Sequence, residues 1–254
     1  MEFFDSHAHY NDEKFDEDRE EVLSRLLSED KITRIVVPGY NIEKSKYSVT
    51  LANSHDFLYA TVGISPNDLE DFSNENLDKI EELAKSKKVV AVGEIGLDYY
   101  WNKENKDIQK QAFISQIEIA NRVNLPIVIH NRDAYIDTIE ILKNHPVNQH
   151  GIFHCCQLNQ ELIKEALKLD FYISFSGNIT FKSAKPEGPV NLVPLDRILI
   201  ETDSPYLSPE PFRGTRNDSA KVKLVAQRIA DIKGISLEEV ARVSYKNANR
   251  IYHI

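Results

Sequence analysis

The stretch that decides the fold is Arg197-Ile198-Leu199-Ile200-Glu201-Thr202-Asp203-Ser204-Pro205-Tyr206-Leu207. Three apolar residues of strand length run directly into polar residues, and Pro205 prevents the strand from continuing. Asp203 alone would be interpreted as the cap of a turn. The same pattern recurs along the chain, however, and this recurrence indicates a functional side chain at the end of a buried strand.

Four further apolar runs end on side chains that can bind a metal. Phe3-Phe4-Asp5 is followed by His7-Ala8-His9, and the other three runs end in Glu94, His130 and His154. Five such runs in one chain are hard to ascribe to chance. They give six candidate metal ligands, which are His7, His9, Glu94, His130, His154 and Asp203.

Strand-like and helix-like segments alternate along the whole chain. Helical stripes of apolar residues separate most of the strand-like runs, and this alternation predicts a parallel sheet. The eight runs match a (β/α)8 TIM barrel in number and in chain length. An open doubly wound sheet is the alternative, but only a closed ring brings the first and eighth strands together. The strand-like runs lie near residues 2–5, 32–37, 58–63, 89–93, 126–129, 151–153, 171–175 and 197–201.

The C-terminal part of the chain predicts a helical extension of the barrel. One helix is expected from Asp218 to Ile232, and a second begins at Ser236, where Glu239 completes a capping box. We expect the second helix to pack over the outside of the barrel. The segment 180–194, rich in proline, predicts a loop that shortens a helix. The chain shows no linker and no repeat at domain scale, so residues 1–254 are interpreted as one barrel domain.

Bulk properties indicate an ordinary globular protein. The chain has 254 residues, and its net charge of −9 argues against broad electrostatic binding to nucleic acid. That charge still allows an enzyme that meets phosphates through metal ions and a few local cations. No apolar run reaches membrane-spanning length, and the N-terminus lacks the pattern of a secretory signal. The adjacent Cys155 and Cys156 suit a reducing compartment, so we expect a cytoplasmic protein with no membrane contact.

The six candidate ligands combine imidazoles with carboxylates, which suits zinc and similar divalent ions. His7 and His9 are two residues apart on an extended segment and therefore point to the same side. Glu94 has two oxygens and could bridge two ions, although its neighbours Gly93 and Gly96 also fit a tight turn with an exposed carboxylate. Asp203 could serve as a ligand, as a base, or as both. Six ligands exceed the needs of one tetrahedral site, so the sequence predicts two divalent ions, with Zn, Mg and Mn all open.

Several motifs resemble the TatD family of metal-dependent deoxyribonucleases, within the amidohydrolase-like barrels. The most specific are the Gly-Glu-Ile-Gly-Leu-Asp-Tyr and Glu-Thr-Asp-x-Pro blocks. The matching stretches run from the first ten residues to the last third of the chain: 5–9, 93–100, 129–132, 153–155, 174–177, 201–207 and 213–217.

The resemblance implies a divalent-metal phosphodiesterase that acts on DNA. In the family's pattern His7, His9 and Asp203 would hold one ion, His130 and His154 the other, and Glu94 would bridge. Asp203 and Glu94 are then the catalytic candidates, with Asp203 orienting a water molecule and taking its proton. We expect exonucleolytic cleavage of a single strand, because a shallow barrel mouth suits a flexible strand better than a stiff duplex.

One segment departs from the family's pattern. Relatives usually have Gly-Ile/Leu-His-Pro, often followed by a second His, where this chain has Gly63-Ile64-Ser65-Pro66-Asn67. Ser65 and Asn67 therefore stand where imidazoles are expected near the substrate. Neither is a predicted ligand, so the change bears on substrate positioning and pH profile rather than on metal binding.

Further candidates for substrate contact follow the strands. Arg132, Arg213 and Arg216 could pair with phosphate oxygens, and the alternative is a solvated loop position or an ion pair with Asp218. Tyr99, Tyr100 and Trp101 (residues 99–101) could stack on bases, and core packing is the equal alternative. Cys155 follows a ligand, but extended geometry would turn it toward the core.

Two other functions remain open at this point. An amidohydrolase or lactonase would use the same ion pair to hydrolyse a small-molecule ester or amide, although such relatives often bridge their ions with a modified Lys. The other alternative is a non-catalytic metal-binding module, in which Ser65 and Asn67 would be signs of lost activity. The intact set of six candidate ligands counts against this alternative.

Overall fold

The computed structural model describes residues 1–254, and its eight strands form one parallel sheet in which each strand pairs with the next in sequence. The strands are β1 Phe3–Asp5, β2 Ile32–Pro38, β3 Leu58–Val62, β4 Val89–Asp98, β5 Ile127–Arg132, β6 Gly151–Phe153, β7 Tyr172–Phe175 and β8 Ile198–Ile200.

Backbone hydrogen bonds connect the last strand to the first and nearly close the barrel. The amide of Ser6 donates to the carbonyl of Ile200 at 3.1 Å, and the amide of Asp203 donates to the carbonyl of His7 at 2.9 Å. The buried carboxylate of Asp5 strengthens this seam by accepting from the amide of Thr202 at 2.9 Å. The predicted (β/α)8 TIM barrel is therefore confirmed, and the open-sheet alternative is wrong.

Nine helices surround and close the barrel, and none combines the length and apolar character needed to cross a membrane. The short α7 lies in the segment where the sequence predicts a shortened helix. Ser236 caps α9 by accepting from the amide of Glu239 at 3.1 Å, as predicted. The helices are α1 Arg19–Ser28, α2 Ile42–Ser54, α3 Asn74–Leu83, α4 Lys106–Val123, α5 Tyr135–Asn144, α6 Gln160–Lys168, α7 Glu187–Leu192, α8 Val222–Lys233 and α9 Leu237–Tyr252.

The strands alternate between two apolar clusters, as the pleat of a strand requires. One set of residues packs under the surrounding helices, and the other, which includes Phe4, Val128 and Leu199, fills the barrel interior. Residues of α9 join the interior cluster, and the Tyr252 hydroxyl donates to the carbonyl of Ser6 at 3.0 Å. The expectation that this helix lies over the outside of the barrel is thus wrong, because its last turn packs against the interior side chains.

Strand β4 is longer than the sequence predicts. The predicted run ends at residue 93, but the strand continues through Glu94 to Asp98, and all of its residues are buried. Gly96 has φ +138°, and a Cβ atom there would overlap the carbonyl of His130 on β5. The glycine therefore serves the close approach of two strands, and the alternative of a tight turn with an exposed Glu94 is wrong.

Candidate metal centre

The barrel gathers all six candidate ligands at the carboxyl ends of its strands. His7 and His9 follow β1, Glu94 lies within β4, His130 lies near the end of β5, and the last two ligands, His154 and Asp203, follow β6 and β8. His130 continues the inward-facing set of β5, because it is two residues beyond Val128. Closure of the ring then brings His7 and His9, which follow the first strand, to the same site as Asp203, which follows the last.

The first ligand group contains His7, His9, Asp203 and the Oε2 atom of Glu94. The two Nε2 atoms of the histidines are 3.2 Å apart, and the Oδ1 atom of Asp203 lies 3.3 Å from His9 and 3.7 Å from His7. Glu94 Oε2 lies 3.5 Å from His7 Nε2 and 3.9 Å from His9 Nε2. His7, His9 and Glu94 are thus close enough to share one ion, and Asp203 lies beside both histidines and also forms a compatible group with His7 and His154.

The second ligand group contains His130, His154 and the other oxygen of Glu94. Glu94 Oε1 lies 2.9 Å from Nδ1 of His130 and 3.1 Å from Nε2 of His154. The two histidine nitrogens are 3.5 Å apart. Glu94 therefore belongs to both groups and presents a different oxygen to each.

These spacings fit a coordination shell. Ligand atoms about 2.1 Å from a tetrahedral ion lie about 3.4 Å from one another, and the distances above cluster around that value. The donors are also those that zinc and similar ions prefer. A largely buried set of four imidazoles and two carboxylates with this spacing is compatible with metal binding.

The local charges also call for a cation. Burial opposes ionisation of Glu94, but His154, His130 and His7 outweigh it and hold its pKa well below the ordinary value. Burial likewise opposes ionisation of Asp203, yet His9 and the other imidazoles lower its pKa. Glu94 and Asp203 therefore stay ionised at the floor of the site, where protonated imidazoles or a bound cation would balance their charge.

Two further carboxylates support the ligands, and the sequence prediction missed both. Asp98 Oδ2 accepts a hydrogen bond from Nε2 of His130 at 3.0 Å. Glu201 Oε1 lies 3.5 Å from Nδ1 of His154. The position of Asp98 carried a signal, because Asp98 is four residues beyond Glu94 and therefore faces the same side of the extended β4. Such outer carboxylates fix the orientation of histidine ligands.

The ligands open into a cavity of about 590 Å³ at the barrel mouth. Arg132 is the only lysine or arginine in its wall, so one cation faces several polar and acidic groups. The lining consists of His9, Tyr40, Ser65, Asn67, Asp68, Glu94, His130, Asn131, Arg132, His154, Cys155, Gln157, Asn178, Asp203, Tyr206 and Leu207.

Three of the six candidate substrate-binding residues lie in this wall: Ser65, Asn67 and Arg132. The hydroxyl of Ser65 donates to Asp68 Oδ2 at 2.5 Å. The amide side chain of Asn67 donates to Asp98 Oδ2 at 3.3 Å. The residues at the departure from the family's pattern thus form part of a hydrogen-bonded wall.

The other three candidates lie away from the cavity. Tyr99 donates from its hydroxyl to Asp137 at 2.6 Å, beside helix α5. Arg213 lies over the ring of Phe181, with 3.9 Å between guanidinium and centroid. Arg216 forms an ion pair, as the alternative had it, but its partner is Asp18 and not Asp218.

Cys155 corrects the sequence analysis, which expects it in the core. Its backbone has φ +39°, so the extended geometry assumed there does not hold. The Sγ atom lies 3.2 Å from the hydroxyl of Ser176, and the residue lines the cavity. Burial raises the pKa of this thiol well above its ordinary value, and the thiol is therefore protonated. The remaining histidines, His55, His145, His150 and His253, lie outside the site.

Comparisons with known families, sequences and structures all point to the same protein family. A family model described as TatD related DNase matches residues 4–253. The chain is 47% identical over 253 residues to the uncharacterized metal-dependent hydrolase YabD of Bacillus subtilis, covering 99% of each chain. It is 37% identical over 263 residues to the uncharacterized metal-dependent hydrolase YcfH of Escherichia coli K12, covering 100% of this chain and 97% of the other. The crystal structure of YJJV, a TatD homologue from Escherichia coli K12, superimposes with a TM-score of 0.94 at 27% identity, covering 99% and 98% of the two chains.

Proposed function

The chain belongs to the family of TatD-related DNases and is a metal-dependent hydrolase, and from that premise we propose that it cleaves phosphodiester bonds in DNA. The preferred substrate is a single strand, degraded from an end. A cavity of about 590 Å³ has room for a terminal nucleotide, whereas a stiff duplex cannot bend into it.

The observation that carries this proposal is the position of Glu94 between two ligand groups. Its Oε1 faces His130 and His154, and its Oε2 faces His7 and His9. This arrangement supports two divalent ions bridged by one carboxylate, and a bridged pair suits the displacement of one phosphate oxygen by another. When bound, the ions supply Lewis acidity and lower the pKa of water.

Asp203 is the proton acceptor in this proposal. It lies in the first ligand group, it faces the cavity, and its depressed pKa keeps it ionised at neutral pH. A carboxylate in this position can orient the attacking water molecule and receive its proton. Asn and Gln at position 203 cannot accept that proton.

Arg132 is the residue proposed to bind phosphate. As the only lysine or arginine in the cavity wall, it can form two parallel hydrogen bonds with a phosphodiester and hold it against the ligands. This local cation explains how a chain of net charge −9 can bind a polyanion.

Metal analysis combined with cleavage of end-labelled DNA tests the proposal. We expect the wild-type protein to release nucleotides from single-stranded DNA with Mg²⁺ or Mn²⁺ and to lose this activity with EDTA. Asp203→Asn should lower turnover at least about 100-fold, whereas Asp107→Asn, a change on an exposed helix position, should behave like wild type.

Other outcomes would identify the rival functions. A metal-loaded protein that hydrolyses lactones or amides but not DNA is an amidohydrolase. A protein that hydrolyses none of these substrates but retains metal and a partner is a binding module. Either result would overturn the proposal.

A further inference from the structure

Two aromatic rings stand exposed beside the cavity. Trp101 is 66% exposed and Tyr100 is 46% exposed, and their ring centroids are 4.8 Å apart at an interplanar angle of 88°. Single exposed apolar residues are normal on a protein surface. Two adjacent large aromatic rings next to a functional cavity are a more specific feature and suggest a binding role.

The guanidinium of Arg132 joins these rings to the cavity. It lies 4.0 Å from the centroid of Tyr100 and 5.5 Å from that of Trp101. Arg132 is also two residues beyond His130 on β5, so both side chains point to the same side of the strand. Tyr100, Trp101 and Arg132 therefore form a continuous surface with the metal centre, which we call the aromatic rim.

The aromatic rim is held in place by the same carboxylate that supports a metal ligand. Asp98 Oδ1 accepts from the amides of Tyr100 and Trp101, both at 2.9 Å, while its Oδ2 accepts from His130. Asn102 adds a second tether by donating to Asn67 Oδ1 at 2.9 Å. These bonds fix the backbone from which the two exposed rings project, which lowers the entropic cost of ordering this loop around a flat ligand.

We propose that the aromatic rim stacks a nucleobase of the substrate strand next to the phosphodiester bond held at the metal centre. This inference rests on the proposed function and adds the group that the enzyme recognises. Aromatic faces with a neighbouring guanidinium bind any base, since every base has a π face. Continuity with the cavity and the positive charge of Arg132 favour a nucleic-acid strand over a protein partner, because the phosphates on either side of the base are anionic.

Fluorescence gives a direct test, because Trp101 is the only tryptophan of the chain. Asp203→Asn protein loaded with Zn²⁺ is titrated with a short oligothymidylate and with an abasic strand of equal length and charge. We expect saturable quenching by the base-bearing strand and none by the abasic strand. Equal quenching by both strands, or no quenching by either, would overturn the inference.

Substitutions give the second test. Trp101→Ala should weaken binding of the base-bearing strand about 5- to 150-fold and leave binding of the abasic strand unchanged. Ile136→Ala removes an apolar side chain that is also 66% exposed but lies outside the rim, and it should change neither. Metal content measured on both variants checks that the site remains intact.

Failure of this inference can be told apart from failure of the proposed function. A wild-type protein that cleaves base-bearing and abasic strands equally well, without quenching, refutes the aromatic rim as a stacking site while the nuclease stands. A wild-type protein that cleaves no DNA refutes the nuclease itself.

Discussion

Asp98 accepts a hydrogen bond from Nε2 of His130 at 3.0 Å, on the side of the imidazole that faces away from Glu94. The carboxylate can only accept, because hydrogen bonds from His130 and from the amide of Trp101 overcome the effect of burial and lower its pKa to about 2. The proton of the neutral ring is thereby fixed on Nε2, and the lone pair of Nδ1 is directed at the second ligand group.

Removing this negative charge should weaken metal binding. In Asp98→Asn the amide can present its NH2 group to Nε2, so the ring loses its enforced tautomer. We expect Zn²⁺ affinity in the second ligand group to fall about 10- to 100-fold, measured by calorimetric titration. Asp107→Asn is the matched control. An unchanged affinity in Asp98→Asn would show that Glu94 and His154 orient the metal without help from Asp98.

Metal affinity should fall as the pH is lowered. In the metal-free protein burial opposes protonation of His130 and His154, but Asp98, Glu94 and Glu201 raise both pKa values above the ordinary imidazole value. An ion binds only the deprotonated nitrogen, so it must displace these protons, and the loss of affinity should begin above pH ~6.5. Calorimetry in buffers of different ionisation enthalpy counts the protons released. Proton release near zero at pH 7 would contradict this picture.

Restoring an imidazole at position 65 should raise the activity. Ser65 lies in the cavity wall and donates to Asp68, so a histidine there would meet a carboxylate able to orient it. A positioned imidazole can act as a general acid, and we expect Ser65→His to raise kcat on single-stranded DNA about tenfold or more. Ser65→Ala removes the hydroxyl without adding an imidazole and serves as the control. A kcat for Ser65→His at or below that of wild type would argue against this role.

Two glycines with positive φ should respond differently to alanine. Gly96 has φ +138° and faces the backbone of β5, whereas Gly234 has φ +66° and has open space where a Cβ would lie. Gly234→Ala should therefore lower the free energy of unfolding by about 1–2 kcal/mol, the cost of the left-handed conformation alone. Gly96→Ala adds overlap with His130 and should cost about 3 kcal/mol or more. Urea denaturation of both variants measures the difference, and equal losses would contradict the crowding argument.

The sequence predicted the barrel because its signals were local and repeated. Each strand contains an apolar run, and each ligand follows such a run in the sequence, so closing the ring suffices to bring His7 and Asp203 together. Ser236 and Glu239 likewise marked the start of α9 through a capping pattern that depends only on neighbouring residues.

The misses concern contacts between distant parts of the chain. The apolar run of β4 stops at residue 93, and only the pairing with β5 shows that the strand continues to Asp98. Cys155 turns toward the cavity because its φ is positive, and no feature of the sequence predicts that conformation. Arg216 pairs with Asp18 across 198 residues, a partnership that a view limited to its own loop cannot find.

The two ligand groups also differ in how soon a growing polypeptide can supply them. Glu94, His130 and His154 have all been added to the polypeptide when about three-fifths of the protein has been made. His7 and His9 emerge first of all but must wait for Asp203 and for the seam between β8 and β1. A truncated product that ends before β8 therefore contains every residue of the second ligand group but lacks Asp203 of the first, together with the strand that closes the barrel beside His7.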